Sequence, residues 1–137
     1  MYGIPDQLKA LSSSEEQVLL ALWAAGPRAA RREIGEQLPG KHWADATILN
    51  FLYRLEAKGW VKSEKEGNRN LYTPTITRRA YGVYYMKERL ETLFGGDLPA
   101  AVRALVSESS CTQGQLEQAV RVLEEKYAEA GEYDFYD

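Results

Sequence analysis

Residues 45–59 read DATILNFLYRLEAKG, and the fold turns on them. Ile48, Phe51, Leu52 and Leu55 fall at i, i+3, i+4 and i+7, the spacing of one buried helix stripe. At about 100° per residue the opposite face carries Ala46, Asn50, Tyr53 and Ala57, with Thr47, Leu49 and Arg54 on its flanks. Lys58-Gly59 stops the helix, with a cation in the last turn and glycine after it. A helix beginning near Asp45 therefore has a greasy side and a polar side, and its neighbours decide what the polar side is for.

Upstream, Ser12 to Glu15 has the pattern of a capping box, and residues 1–11 before it read as a short tail. The first helix is predicted from about Ser13 to Ala24, with Val18, Leu19, Leu22 and Trp23 on one stripe and Gly26-Pro27 as its stop. A short second helix is expected from about Ala30 to Leu38, turning Ile34 and Leu38 inward, and Pro39-Gly40 ends it. Trp43 reads as a plug between the second and third helices. Downstream, Trp60 to Lys65 and Leu71 to Thr73 read as two strands around the turn-rich Glu66-Gly67-Asn68-Arg69-Asn70. Three helices followed by a hairpin is the order of a winged helix-turn-helix, whose second motif helix enters the DNA major groove.

The character of the chain changes near residue 76. Thr77 opens a helix expected to reach Phe94, Gly95-Gly96 breaks it, and Asp97 and Pro99 open another. Thr112 and Gln115 form a second capping pattern, and the last helix is expected to run to about Ala130, followed by an acidic, mobile tail. The apolar positions of these helices are Tyr81, Tyr84, Tyr85, Leu90 and Leu93, then Leu98, Val102 and Leu105, then Leu116, Val120 and Leu123. Such narrow stripes need a partner surface, and a two-fold dimer supplies one that suits pseudo-palindromic half-sites. The expectation is a mainly α chain with a small β-hairpin wing. A winged-helix DNA-binding domain over residues 1–76 precedes a helical dimerisation domain over 77–137.

Charge follows the same division. Net charge is −3, yet residues 28–72 hold nine basic and six acidic side chains, whereas 77–137 hold seven basic and eleven acidic. One cysteine, Cys111, and one histidine, His42, leave no internal disulfide, no cysteine cluster and no multi-histidine metal site. A lone cysteine most often serves as a small apolar residue. No nucleophile, phosphate-loop or carboxylate-dyad motif occurs, so neither an enzyme nor a cofactor is expected. The longest apolar run, Val18 to Ala25, is far shorter than a spanning helix, and the N-terminus lacks a signal-peptide pattern. A cytoplasmic protein with no membrane insertion is the expectation.

A family resemblance adds to this reading. It is carried by Leu11-Ser12-Ser13-Ser14-Glu15, Val18, Leu19, Leu22-Trp23, Gly26-Pro27, Ile34, Leu38, Trp43, Thr47-Ile48, Leu52, Arg54-Leu55-Glu56, Lys58-Gly59, Glu64, Tyr72 to Pro74 and Leu93-Phe94-Gly95-Gly96. Over about residues 9–127 the chain resembles the penicillinase-repressor (BlaI/MecI/CopY) family. The resemblance implies a homodimeric winged-helix repressor of transcription that binds double-stranded DNA. It also implies a membrane sensor metallopeptidase as a partner, cleaving in the C-terminal region. The matching segment around Ala104 and Leu105 lacks the Asn-Phe pair of that family's cleavage site, and Leu105 is more simply dimer core. The family's copper branch needs paired cysteines, which one Cys111 cannot supply.

The polar side of the third helix nominates Thr47, Asn50, Tyr53 and Arg54 as base readers. Asn pairs with adenine, Arg with guanine, and Thr with either a base or a phosphate. Arg54 has a competing reading as the ion-pair partner of Asp45 or Glu56. Phosphate contacts are expected from Arg31 and Arg32 on the second helix, His42 in the turn, and Lys62, Lys65 and Arg69 on the hairpin. Basic residues are usual in the resembled family where this chain has Ala46 and Leu49. That loss, with the acidic balance, supports an alternative function: a winged-helix dimer that has given up specific DNA binding for protein contacts.

Overall fold

The computed structural model describes residues 9–39, 43–108 and 110–136, with the backbone alone for 131–136. Its elements in order are α1 (Ser13–Ala25), β1 (Ala29–Ala30), α2 (Arg31–Glu36), α3 (Asp45–Ala57), β2 (Val61–Glu66), β3 (Arg69–Pro74), α4 (Arg78–Phe94), α5 (Leu98–Glu108) and α6 (Gln113–Tyr136). Among the described residues no helix is long and apolar enough to cross a membrane.

Local chemistry fixes most boundaries. At the start of α1 the Glu15 amide donates to Ser12 Oγ at 3.2 Å, and the Ser12 amide donates back to Glu15 Oε1 at 2.8 Å. α3 ends in a Schellman arrangement, in which the Trp60 amide reaches the Leu55 carbonyl (2.9 Å) and the Gly59 amide reaches that of Glu56 (3.0 Å). Gly59 takes a φ of 91° there, a conformation that strains any residue with a Cβ. Asp97 caps α5 through the Ala100 amide, and Thr112 and Gln115 exchange two bonds at α6.

The first compact unit ends at Glu88 and the second begins at Arg89. In the first, Val18, Leu19 and Leu22 of α1, Ile34 of α2, and Ile48, Leu52 and Leu55 of α3 form one buried core. α2 comes so close to α3 that a Cβ on Gly35 would lie 3.2 Å from Ile48 Cδ1. Trp43 and Phe51 are half-buried against this core, their rings edge to face at 5.9 Å.

Several expectations are corrected here. The second helix begins at Arg31 rather than Ala30, because Ala29 and Ala30 form a strand that pairs antiparallel with Tyr72 and Leu71. The sheet therefore has three strands, ordered β1-β3-β2. A two-residue strand carries too little pattern to be seen in sequence; it exists because β3 offers an open edge. The hairpin turn is tighter than the five residues expected: Glu66 pairs with Arg69, and Gly67, at φ 66°, takes the positive dihedral of a two-residue loop. Residues 9–11 are not a loose tail, since the Trp60 indole donates to the Lys9 carbonyl (2.7 Å) and the Lys58 ammonium to that of Ala10 (3.0 Å).

The first turns of α4 lie in the first compact unit. Tyr81 is buried there, edge to face with Trp60 at 5.4 Å, and its hydroxyl donates to Glu16. The Trp23 indole donates to the Ile76 carbonyl at 3.0 Å and pins the chain that enters α4. Trp23 is half-buried against the core, as Trp43 is. The last helix continues to Tyr136, past Ala130 and through the stretch read as a mobile tail.

In the second unit Ala101 is the one buried apolar residue among those described. Leu93, Leu98, Val102, Leu105, Val120 and Leu123 are all exposed, Leu93 by 62% and Leu105 by 59%, while Leu90 and Leu116 are half-buried. Cys111 is exposed rather than apolar filling.

Candidate nucleic-acid interface

The polar side of α3 stands open. Ala46, Thr47, Leu49, Asn50, Tyr53 and Arg54 are exposed, Tyr53 by 73%, while Ile48, Leu52 and Leu55 are sealed beneath. The four expected base readers therefore share one surface. Arg54 is held on one flank, its guanidinium carbon 5.5 Å from the centre of the Phe51 ring. Neither Asp45 nor Glu56 takes it: Asp45 is bound by Arg31, and both Glu56 oxygens accept from the Ser63 hydroxyl of β2.

On the other flank, Leu49 borders a cleft of about 420 Å³ between α2, α3 and the hairpin. Arg31, Arg32 and Arg69 line it, with Asn68 and Asn70 from the wing. Three of the expected phosphate-binding residues thus converge on one depression. None of the three is without an acid. Arg31 Nη1 lies 2.6 Å from Asp45 Oδ1, Arg32 Nε 3.8 Å from Glu36, and Arg69 Nη1 3.9 Å from Glu33. Glu33 also accepts the Ala30 amide at 2.8 Å, so it helps start α2.

The two wing lysines are exposed and form no ion pair with another described residue. They do not act as a pair. Alternation along β2 puts Lys65 on the face that Ser63 turns toward α3, and Lys62 on the other face with Glu64 and Glu66. That second face is tied down by Arg28, which reaches Glu64 and Glu66 at 3.1 Å each. Arg28 has no signal in the local pattern; only the sheet brings it to residues 36 and 38 positions away. His42 lies outside the described residues.

A family model described as penicillinase repressor matches residues 11–125. The chain is 30% identical over 122 residues to an uncharacterized 16.5 kDa protein of the ptsI 3′ region of Latilactobacillus sakei, covering 89% of this chain and 84% of that protein. It is 25% identical over 115 residues to the penicillinase repressor of Bacillus licheniformis, covering 84% of this chain and 90% of that one. The solution structure of the DNA-binding domain of the repressor BlaI is 28% identical, with a TM-score of 0.48 over 56% of this chain and 94% of that domain.

Proposed function

The chain belongs to the penicillinase repressor family, and on that premise we propose that it represses transcription as a homodimer bound to a pseudo-palindromic operator. The observation that carries this reading is the open side of α3, where Thr47, Asn50, Tyr53 and Arg54 stand clear of the core beside the wing. These four residues read base edges. Asn50 suits adenine and Arg54 suits guanine, and Ala46 and Leu49 meet thymine methyl groups.

The phosphates are held by Lys65 and by the arginine-lined cleft between α2 and the wing. A guanidinium carries five N–H donors, so Arg31 can keep Asp45 and still donate to a phosphate. Asp45 is then neutralised at the point where it would repel the backbone.

Dimerisation rests on the second unit. α5 and α6 leave most of their apolar positions in water, and helix stripes that bury so little in their own chain call for another surface. A second copy supplies it through Leu93, Leu98, Val102, Leu105, Val120 and Leu123. Tyr81 is excluded from that set because its ring is spent inside the first unit. The cytoplasm is the matching compartment. A membrane sensor metallopeptidase is the proposed releasing partner, and the region around Ala104 and Leu105 that it would cut lies within α5.

Polarisation of labelled duplex from upstream of the protein's own gene, at low salt, tests the reading. Saturable binding by a dimer, lost with scrambled DNA, is the expected result. No binding at micromolar dimer would favour the protein-contact alternative.

A further inference from the structure

Trp60, Tyr81, Tyr84 and Tyr85, with Glu88 and Lys9, line a cleft of about 120 Å³ at the base of α4. We propose that this cleft binds a small organic cation, a methylated ammonium group, between the tyrosine rings and the Glu88 carboxylate.

Ring geometry is the first support. Trp60 and Tyr81 are nearly perpendicular, at 86°, and Tyr81 and Tyr85 are tilted by 47° with centroids 6.0 Å apart. Trp60 and Tyr81 pack on each other as the buried floor, and the exposed Tyr84 and Tyr85 rings stand above it as the surfaces on which a cation that has no N–H to donate can rest. The space equals roughly four waters at about 30 Å³ each, matching a methylated ammonium head and little more.

Charge is the second support. The Tyr84 hydroxyl donates to Glu88 Oε2 at 2.7 Å, and the Tyr81 hydroxyl donates to Glu16. Both bonds push electron density toward the rings. The Tyr81 hydroxyl pKa is raised, by burial first and then by the neighbouring Glu16 carboxylate. Among the described lining residues Lys9 opposes one carboxylate, Glu88, while Glu16 lies behind the Tyr81 hydroxyl. Its backbone carbonyl is fixed by the Trp60 indole, while the residue itself is exposed. None of these groups belongs to α3 or the wing lysines, so the proposal stands apart from DNA reading.

The test titrates the full chain with choline and with its uncharged carbon isostere, 3,3-dimethylbutan-1-ol, by calorimetry at matched ionic strength. Choline should bind saturably and about tenfold more tightly than the isostere, the discrimination expected of a cation held on aromatic faces. Tyr85→Leu and Glu88→Gln should each weaken choline about tenfold, and Lys9→Gln should strengthen it, with far-UV circular dichroism unchanged. Glu88 and Lys9 are surface residues, so those variants keep the test valid if Tyr85→Leu fails to fold. Equal binding of choline and the isostere, unsaturable binding, or unaltered affinity in Glu88→Gln would overturn the proposal. Preferential binding of benzoate would do so too, making Lys9 the recognising group.

Discussion

The Lys58 ammonium lies 2.6 Å from the carboxylate of Glu15, a residue only 1% exposed. This contact joins the start of α1 to the end of α3 across 43 positions of sequence. It thereby fixes α3, the helix with the proposed reading face. Lys58 also donates to the Ala10 carbonyl, so one side chain gathers three segments.

Removing Lys58 should be costly. Burial pushes the Glu15 carboxyl up, but Lys58 and the Ser12 amide and hydroxyl outweigh it, and its pKa sits below the usual carboxylate range. Lys58→Met strands a buried charge and should destabilise the protein by about 3 kcal/mol at pH 7, the low end for a buried pair because Lys58 is partly wet. A carboxyl with a depressed pKa stabilises the fold above its unfolded value, near pH 4.3, and that contribution is lost as pH falls through the folded value. The gap between wild type and variant should therefore shrink below about pH 4, as urea denaturation at several pH values will read. Equal midpoints at pH 7 would remove the pair from the account.

Asn50→Ala and Arg54→Ala should relax base preference by about 1–3 kcal/mol each, with little change in binding to random duplex. Competition between operator and scrambled DNA measures this. If Arg54→Ala keeps full operator preference, the reading face has been placed wrongly.

Lys65 and Lys62 should behave differently although they are three residues apart. Lys65→Ala should lower the salt slope of DNA binding by roughly 0.9 per lost phosphate contact. Lys62→Ala, on the face shared with Glu64 and Glu66, should change it little. Identical slopes in the two variants would contradict the strand alternation that separates them.

Asp45→Asn should tighten DNA binding at low salt by about fivefold, close to 1 kcal/mol, because it removes an exposed anion and frees Arg31. The effect should fade in high salt. A weaker variant would mean that Asp45 is needed to aim Arg31.

If the proposed dimer forms through α5 and α6, Leu105→Asp or Leu123→Asp should leave a monomer in sedimentation velocity while the first unit keeps its fold. Operator affinity should then fall by orders of magnitude, since two half-sites are no longer held together. A variant that stays dimeric would move the interface away from α5 and α6.

The reading of α3 was available from residues 45–59 because helix periodicity is a local property: Ile48, Leu52 and Leu55 bury, and Asn50, Tyr53 and Arg54 do not. The Ser12 and Thr112 caps and the breaks at Gly59 and Gly95 were legible for the same reason. Each acts within one turn of chain.

Other features have no local signature. Tyr81 has the same spacing as Tyr84 and Tyr85, and nothing in the pattern says that it fills the space beside Trp60 and belongs to the first unit. β1 exists only because β3 has a free edge. Arg31 reads as an open cation until the packing of α2 on α3 brings Asp45 to it, and Arg28 until the sheet brings Glu64 and Glu66. The sequence by itself determined which stretches are helix, which are hairpin and which side of α3 faces out. Tertiary structure alone decided that Arg28, Arg31 and Lys58 are already paired and that the Trp60 and Tyr81 rings are already used, because those contacts join residues far apart in sequence and depend on how the elements pack.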